Sequence, residues 1–133
     1  MATIKRFEDL EIWQLARKLS QQIIFISKNT ELKSDYRFKD QIIASSGSVM
    51  DNIAEGFERD GNLEFRQYLS IAKGSAGETR SQSYRLFDSE YISEEKLKKL
   101  VNECEILSKK MANFISYLNK KDFKKIIKKG EIN

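Results

Sequence analysis

The sequence predicts an all-α chain, a single antiparallel four-helix bundle, and three observations carry that prediction. None of the 133 residues is proline. Proline punctuates loops and breaks helices, so a chain without it suits long helices joined by short turns. Four segments space their apolar residues alternately three and four apart, the period of one helix face. The connections between those segments are short, which makes sequence neighbours pack antiparallel. Charged residues at 33% and apolar ones at 40% fit helices with one buried face each.

The first helix spans about Glu8 to Lys28. Ile12, Ala16, Leu19, Ile23 and Ile26 form its stripe, widened by Leu10 and Trp13, and Asn29-Thr30 is its stop. Thr30 to Ser34 reads as a loop, with Ser34 the cap of a second helix from Asp35 to about Arg59. Its stripe is Phe38, Ile42, Ser45, Val49, Ile53 and Phe57. The run Ala44-Ser45-Ser46-Gly47-Ser48 permits close approach of a neighbour, and close packing is one reason for a glycine at position 47. Asp60-Gly61-Asn62 is a turn, with Asn62 as N-cap of a third helix from Leu63 to about Ser89. Phe65, Leu69, Ala72, Ala76, Thr79, Ser83 and Leu86 form the third stripe. Ser93 caps the fourth helix, with Glu94 and Glu95 in its first turn. Its seam is Leu97, Leu100, Cys104, Leu107, Met111, Phe114 and Leu118. Residues 1–119 therefore form the bundle, and residues 120–133 a lysine-rich C-terminal tail or helix extension.

Composition excludes several activities. There is no histidine, so Ser-His-Asp and Cys-His catalysis are ruled out, as is a di-iron site of Glu-x-x-His pairs. A histidine-free zinc site needs several cysteines, and Cys104 stands alone, most simply a small buried hydrophobe. No enzyme activity, catalytic residue, metal or cofactor is expected. No stretch approaches the ~20 apolar residues of a membrane span, and Met1 to Phe7 lacks the apolar core of a signal peptide. A cytoplasmic protein is the expectation.

The net charge of +4 is unevenly placed. Residues 109–133 carry eight lysines against Asp122 and Glu131, whereas residues 1–108 carry 16 basic and 18 acidic side chains. Lys120, Lys124 and Lys128 share one face of a helix, with Lys121, Lys125 and Lys129 beside them. Such a segment contacts a phosphate backbone, lies on an anionic membrane surface, or is simply solvated; no membrane partner is expected. Arg59, Arg66, Lys73 and Arg80 add a possible basic strip among acidic neighbours. Phe7, Trp13, Phe25 and the aromatic set of the third helix serve as core, or as a subunit interface.

The second constellation is polar. Ser48, Asn52 and Glu55 share one face of the second helix, and Ser75 and Glu78 sit three apart on the third. Two readings stand: a buried hydrogen-bond network that fixes helix register, or a small-ligand or metal pocket at Glu55 and Glu78.

Specific runs carry a resemblance. Phe7-Glu8-Asp9-Leu10-Glu11-Ile12-Trp13, Asn52-Ile53-Ala54-Glu55-Gly56-Phe57, and Phe65 through Ser75 followed by Glu78 cover about residues 7–90. Their order and spacing resemble the four-helix-bundle proteins encoded by intervening sequences of bacterial 23S rRNA genes. The resemblance implies an up-down-up-down bundle and a homo-oligomer, a pentamer by analogy with relatives that form rings of five. Relatives include the accessory variability determinant of diversity-generating retroelements, a basic ring that engages nucleic acid and a reverse transcriptase. The expected function is a non-enzymatic oligomeric binding protein that contacts RNA or DNA through Lys120, Lys121, Lys124, Lys125, Lys128 and Lys129. The alternatives are a protein-interaction scaffold with no nucleic-acid role, and the Glu55/Glu78 ligand site.

Overall fold

A computed structural model describes residues 4–120, and its regular structure follows the four stripes. The helices are α1 (Glu11–Asn29), α2 (Tyr36–Glu58), α3 (Asn62–Asp88) and α4 (Glu94–Lys120), and there is no strand among the described residues. They form a four-helix bundle in which each packs antiparallel on the next in sequence and α1 returns to α4. The α2–α3 and α3–α4 seams are the most extensive and α1–α4 the least.

The stripes are the core. Every apolar member of the first three is buried except Trp13 and Phe57, which are half-buried. On α4 all are buried but Phe114, which packs half-buried against Phe65 with ring centroids 5.6 Å apart. Phe65 is fully buried and also meets Phe57 edge-on at 6.2 Å. Burial of side chains of this size is worth roughly 1.5–3 kcal/mol each relative to exposure, so these seams dominate stability.

The helix ends differ from expectation where a distant side chain intervenes. Residues Phe7–Asp9 form a 3₁₀ turn rather than the start of α1. Leu10, buried, leads into the helix, and Phe7 stacks on Trp13 at 5.2 Å. The Thr30–Ser34 loop is a 3₁₀ turn over Glu31–Ser34, and Thr30 Oγ1 accepts from the Leu32 N–H at 3.2 Å. Ser34 does not cap α2. Asp35 flanks that helix, and its carboxylate accepts from the Tyr91 hydroxyl at 2.8 Å instead of capping. Asn62 is the first residue of α3 and not its cap: its amide donates to the Leu118 carbonyl at 2.7 Å. Gly61 precedes it with φ 124°, a conformation open to glycine. Ser93 does cap α4, accepting from the Lys96 N–H at 3.1 Å. The α3 C-terminus closes as a Schellman motif, with Tyr91 N–H bonded to the Leu86 carbonyl at 2.9 Å and Glu90 at φ 65° in the position glycine usually holds.

Candidate nucleic-acid interface and the central polar seam

The small and polar residues of α2 and α3 do meet, and register fixes which ones. Ser75 Oγ donates to Ser48 Oγ at 3.0 Å. Asn52 Nδ2 donates to the Ser48 carbonyl and hydroxyl oxygens, each at 2.8 Å. One turn away lies the buried half of the network. Ser45 Oγ donates to Gln82 Oε1 and lies 3.0 Å from Thr79 Oγ1. Thr79 in turn donates to the Ser75 carbonyl at 2.9 Å. No buried side-chain nitrogen or oxygen among the described residues lacks a partner. Ser48, Asn52 and Ser75 of the expected set thus bond across the seam, Glu55 does not join them, and the buried members are Ser45, Thr79 and Gln82, of which Gln82 was missed by sequence reasoning. Its signal was faint: a glutamine one turn beyond Glu78, beside the stripe rather than in it.

Glu55 and Glu78 are not brought together. Glu78 sits level with Ser45 and accepts from Gln82 Nε2 at 3.4 Å. Glu55 is half-exposed; it accepts from Arg59 at 3.0 Å and from the Tyr68 hydroxyl at 3.2 Å. Ten residues of α2 separate those levels, ~15 Å at 1.5 Å per residue. Arg59, then Tyr68, hold the Glu55 carboxyl below its ordinary range. A pocket shared by the two carboxylates therefore has no geometry here. Among the described residues no cluster of three or more Cys, Asp or Glu could hold a metal ion.

The outer glycines overturn the close-packing account of Gly47. A Cβ built at Gly47, Gly74 or Gly77 meets nothing within 4 Å. The glycine that permits proximity is Gly56, where a Cβ would lie 2.7 Å from Tyr68 Cβ and 3.0 Å from Phe65 Cδ1.

Of the six lysines assigned to nucleic acid, Lys120 is the exposed last residue of α4. Lys121, Lys124, Lys125, Lys128 and Lys129 lie outside the described residues. The end of α4 is fastened to the start of α3. Asn62 holds the Leu118 carbonyl, and Arg66 donates to Asn62 Oδ1 at 3.0 Å and to Asn119. Arg66, Lys73 and Arg80 recur every seven residues along the α4 side of α3. Arg80 reaches Glu105 at 4.0 Å. Arg59 leaves that strip: it pairs with Glu55 and covers the Tyr68 ring at 5.2 Å.

A groove between α1 and α4, of about 540 Å³, has Leu15, Phe25 and Ile106 on its walls with Lys18, Lys96 and Lys99. Phe25 is 67% exposed and Ile106 42%. Lys96 Nζ donates to Gln22 Oε1 at 2.9 Å, and the Gln22 amide donates on to Glu103. Partial burial, then Lys99, lower the Lys96 pKa. Cys104 lies in the core, where burial pushes its thiol up to about 12, so it is protonated at neutral pH.

These features define a class: a histidine-free helical bundle whose polar cluster is internal scaffolding and whose free chemistry is charge and apolar surface. The chain belongs to the 23S rRNA-intervening sequence protein family, whose model matches residues 8–113. Its fold is similar to the crystal structure of a protein of unknown function from the S23 ribosomal protein family of Bacteroides thetaiotaomicron VPI-5482. The two share 22% identity and a TM-score of 0.72, over 79% of this chain and 95% of that one. Among curated proteins none matches. No described helix is long and apolar enough to cross a membrane.

Proposed function

We propose that this chain is a non-enzymatic, homo-oligomeric, cytoplasmic binding protein that contacts RNA or DNA without sequence preference through its basic C-terminal end. One observation carries the reading: all of the net basicity lies in residues 109–133, and α4 carries the first three lysines of that stretch, Lys109, Lys110 and Lys120, the last at the end of the bundle where Arg66 also sits. Lysines on a phosphate backbone supply affinity by releasing counterions, and that affinity falls steeply with salt. Assembly multiplies the effect, because each copy adds a tail and linked weak sites bind with avidity. The family resemblance supports oligomerisation, with five copies as the expected number.

Deleting residues 120–133 and titrating RNA at two salt concentrations tests the reading. The expected result is weaker binding and a shallower dependence of log K on log salt. The slope should fall by about 0.7 for each phosphate of a single strand that the tail neutralises. Unchanged affinity and slope would remove the tail from the mechanism. The exposed Phe25 and Ile106 favour a second reading, a protein-interaction scaffold with no nucleic-acid role. Purified protein that carries no nucleic acid, by its ultraviolet absorbance ratio, and binds none at low salt would favour that scaffold.

A further inference from the structure

The α1–α4 groove is opposite in charge and side-chain size to a second surface of the same molecule. Its walls combine protruding apolar groups, Phe25 and Ile106, with three lysines against the single carboxylate of Glu103, which Gln22 already engages. The matching surface is the outer stripe of α2. Asp40, Ala44, Gly47, Asp51, Ala54 and Glu58 alternate four and three apart, on the face turned away from Phe38, Ile42 and Val49. The stripe is made only of acids and the smallest side chains. Asp40, Asp51 and Glu58 are exposed, and the space over Gly47 is empty to 4 Å. A glycine inside an exposed helix weakens that helix relative to alanine. No described residue lies close enough to Gly47 to require a glycine there.

We infer that the α1–α4 groove is a docking site for a second copy of this chain, which lays the acidic, small-residue stripe of its α2 against the lysines and the Phe25–Ile106 ridge. Two complementarities support this. The signs are opposite, Lys18, Lys96 and Lys99 on one side and Asp40, Asp51 and Glu58 on the other. The shapes are opposite as well, bulky side chains standing out on one surface and a line of minimal ones on the other. Groove and stripe are separate surfaces, so one molecule uses both at once. Such a heterologous contact builds rings where the rotation closes and filaments where it does not. The inference rests on the oligomer reading above and assigns its interface.

Two charge-reversed variants test it in the full chain by mass in solution. Lys18→Glu with Lys99→Glu reverses the groove; Asp51→Lys with Glu58→Lys reverses the stripe. All four positions are exposed, so the fold tolerates them. Each variant alone should associate at least tenfold more weakly than the parent, and mixing the two should restore association between unlike copies, whose facing surfaces are again opposite in charge, although a closed ring of five must keep at least one like-charged junction. A third variant, Gly47→Gln, should keep or raise the melting temperature while weakening assembly at least tenfold. An oligomer whose mass survives all three variants would overturn the interface and leave the oligomer reading standing. A parent chain that is monomeric at every concentration would overturn both.

Discussion

Between α2 and α3 the backbones approach until Gly56 has Tyr68 and Phe65 against it, and the polar atoms that meet there bond to one another. Between α1 and α4 the helices stand apart around a groove, Phe25 is two-thirds exposed, and a lysine is half-buried beside another lysine. Both seams join antiparallel neighbours of one bundle, so topology does not explain the contrast. Side-chain size and polarity do. Small polar residues on facing helices allow close approach and demand mutual hydrogen bonds, because an unpaired buried polar group costs about 1–3 kcal/mol. Long and bulky residues at the margins of α1 and α4 hold those helices apart and leave surface for something else. The first seam is closed by its own side chains, and the second leaves apolar and lysine surface exposed.

The strongest way to break that contrast is Gly56→Ala. A new Cβ would lie 2.7 Å from Tyr68 Cβ, an atom close to its backbone and unable to swing away. Overpacking of this kind costs ~1–3 kcal/mol, outweighing the gain in helix propensity. Chemical denaturation should show that loss, and an unchanged midpoint would mean the α2–α3 backbones are free to separate. Next is Gln82→Leu, which keeps the volume of a buried side chain but removes the cross-seam acceptor of Ser45, leaving its hydroxyl the Ile42 carbonyl at 3.2 Å. A loss of about 1–2 kcal/mol is expected. Adding Ser45→Ala should recover part of it, because an apolar pair leaves nothing unsatisfied; strictly additive losses would argue against a coupled network.

Gly47→Ala inverts the sign on the same helix. Its Cβ would meet open space, so the substitution should stabilise the monomer by ~0.5–1 kcal/mol. A thermal melt of Gly47→Ala beside Gly56→Ala compares one chemical change in two environments. Opposite shifts are expected, and equal shifts would erase the distinction between the close seam and the open stripe.

The stripes were legible because burial repeats with the helix, so residues from Ile12 to Leu118 fell where their spacing put them. Of the three expected caps only Ser93 was. Ser34 gives way to Asp35, whose carboxylate is taken by Tyr91, and Asn62 is drawn to the Leu118 carbonyl; each partner is 56 residues distant, and a local preference carries no information about such partners. Spacing likewise placed Glu55 and Glu78 on the right faces but said nothing of their heights, which depend on how α2 slides past α3. Ser48, Asn52 and Ser75 do meet, through Ser48. The groove escaped notice for a related reason: Leu15, Phe25 and Ile106 sit off the stripes, and periodicity says which face is inside without saying what covers the rest.

The smallest expected effect bears on the open seam. Lys96 is lowered from its ordinary 10.5 first by loss of water and second by Lys99, with Glu103 opposing. The unfolded chain therefore holds that proton more tightly than the folded one. Below the lowered native value the charged lysine is a standing cost to folding, and the cost disappears as pH rises through 10.5. Lys96→Met keeps most of the aliphatic stem and removes the charge. It should raise stability slightly at neutral pH, by less than about 0.5 kcal/mol, because solvent reaches the group and screens it. The advantage should shrink in alkaline solution, where the parent lysine is neutral as well. Gln22 loses a donor in the variant, but its half-buried amide keeps access to water. Urea denaturation of both chains at neutral and at high pH reads the difference. If Lys96→Met destabilises the chain equally at both, the stem and its bond to Gln22 matter more than the buried charge, and the groove is less poised for an anion than its lysines imply.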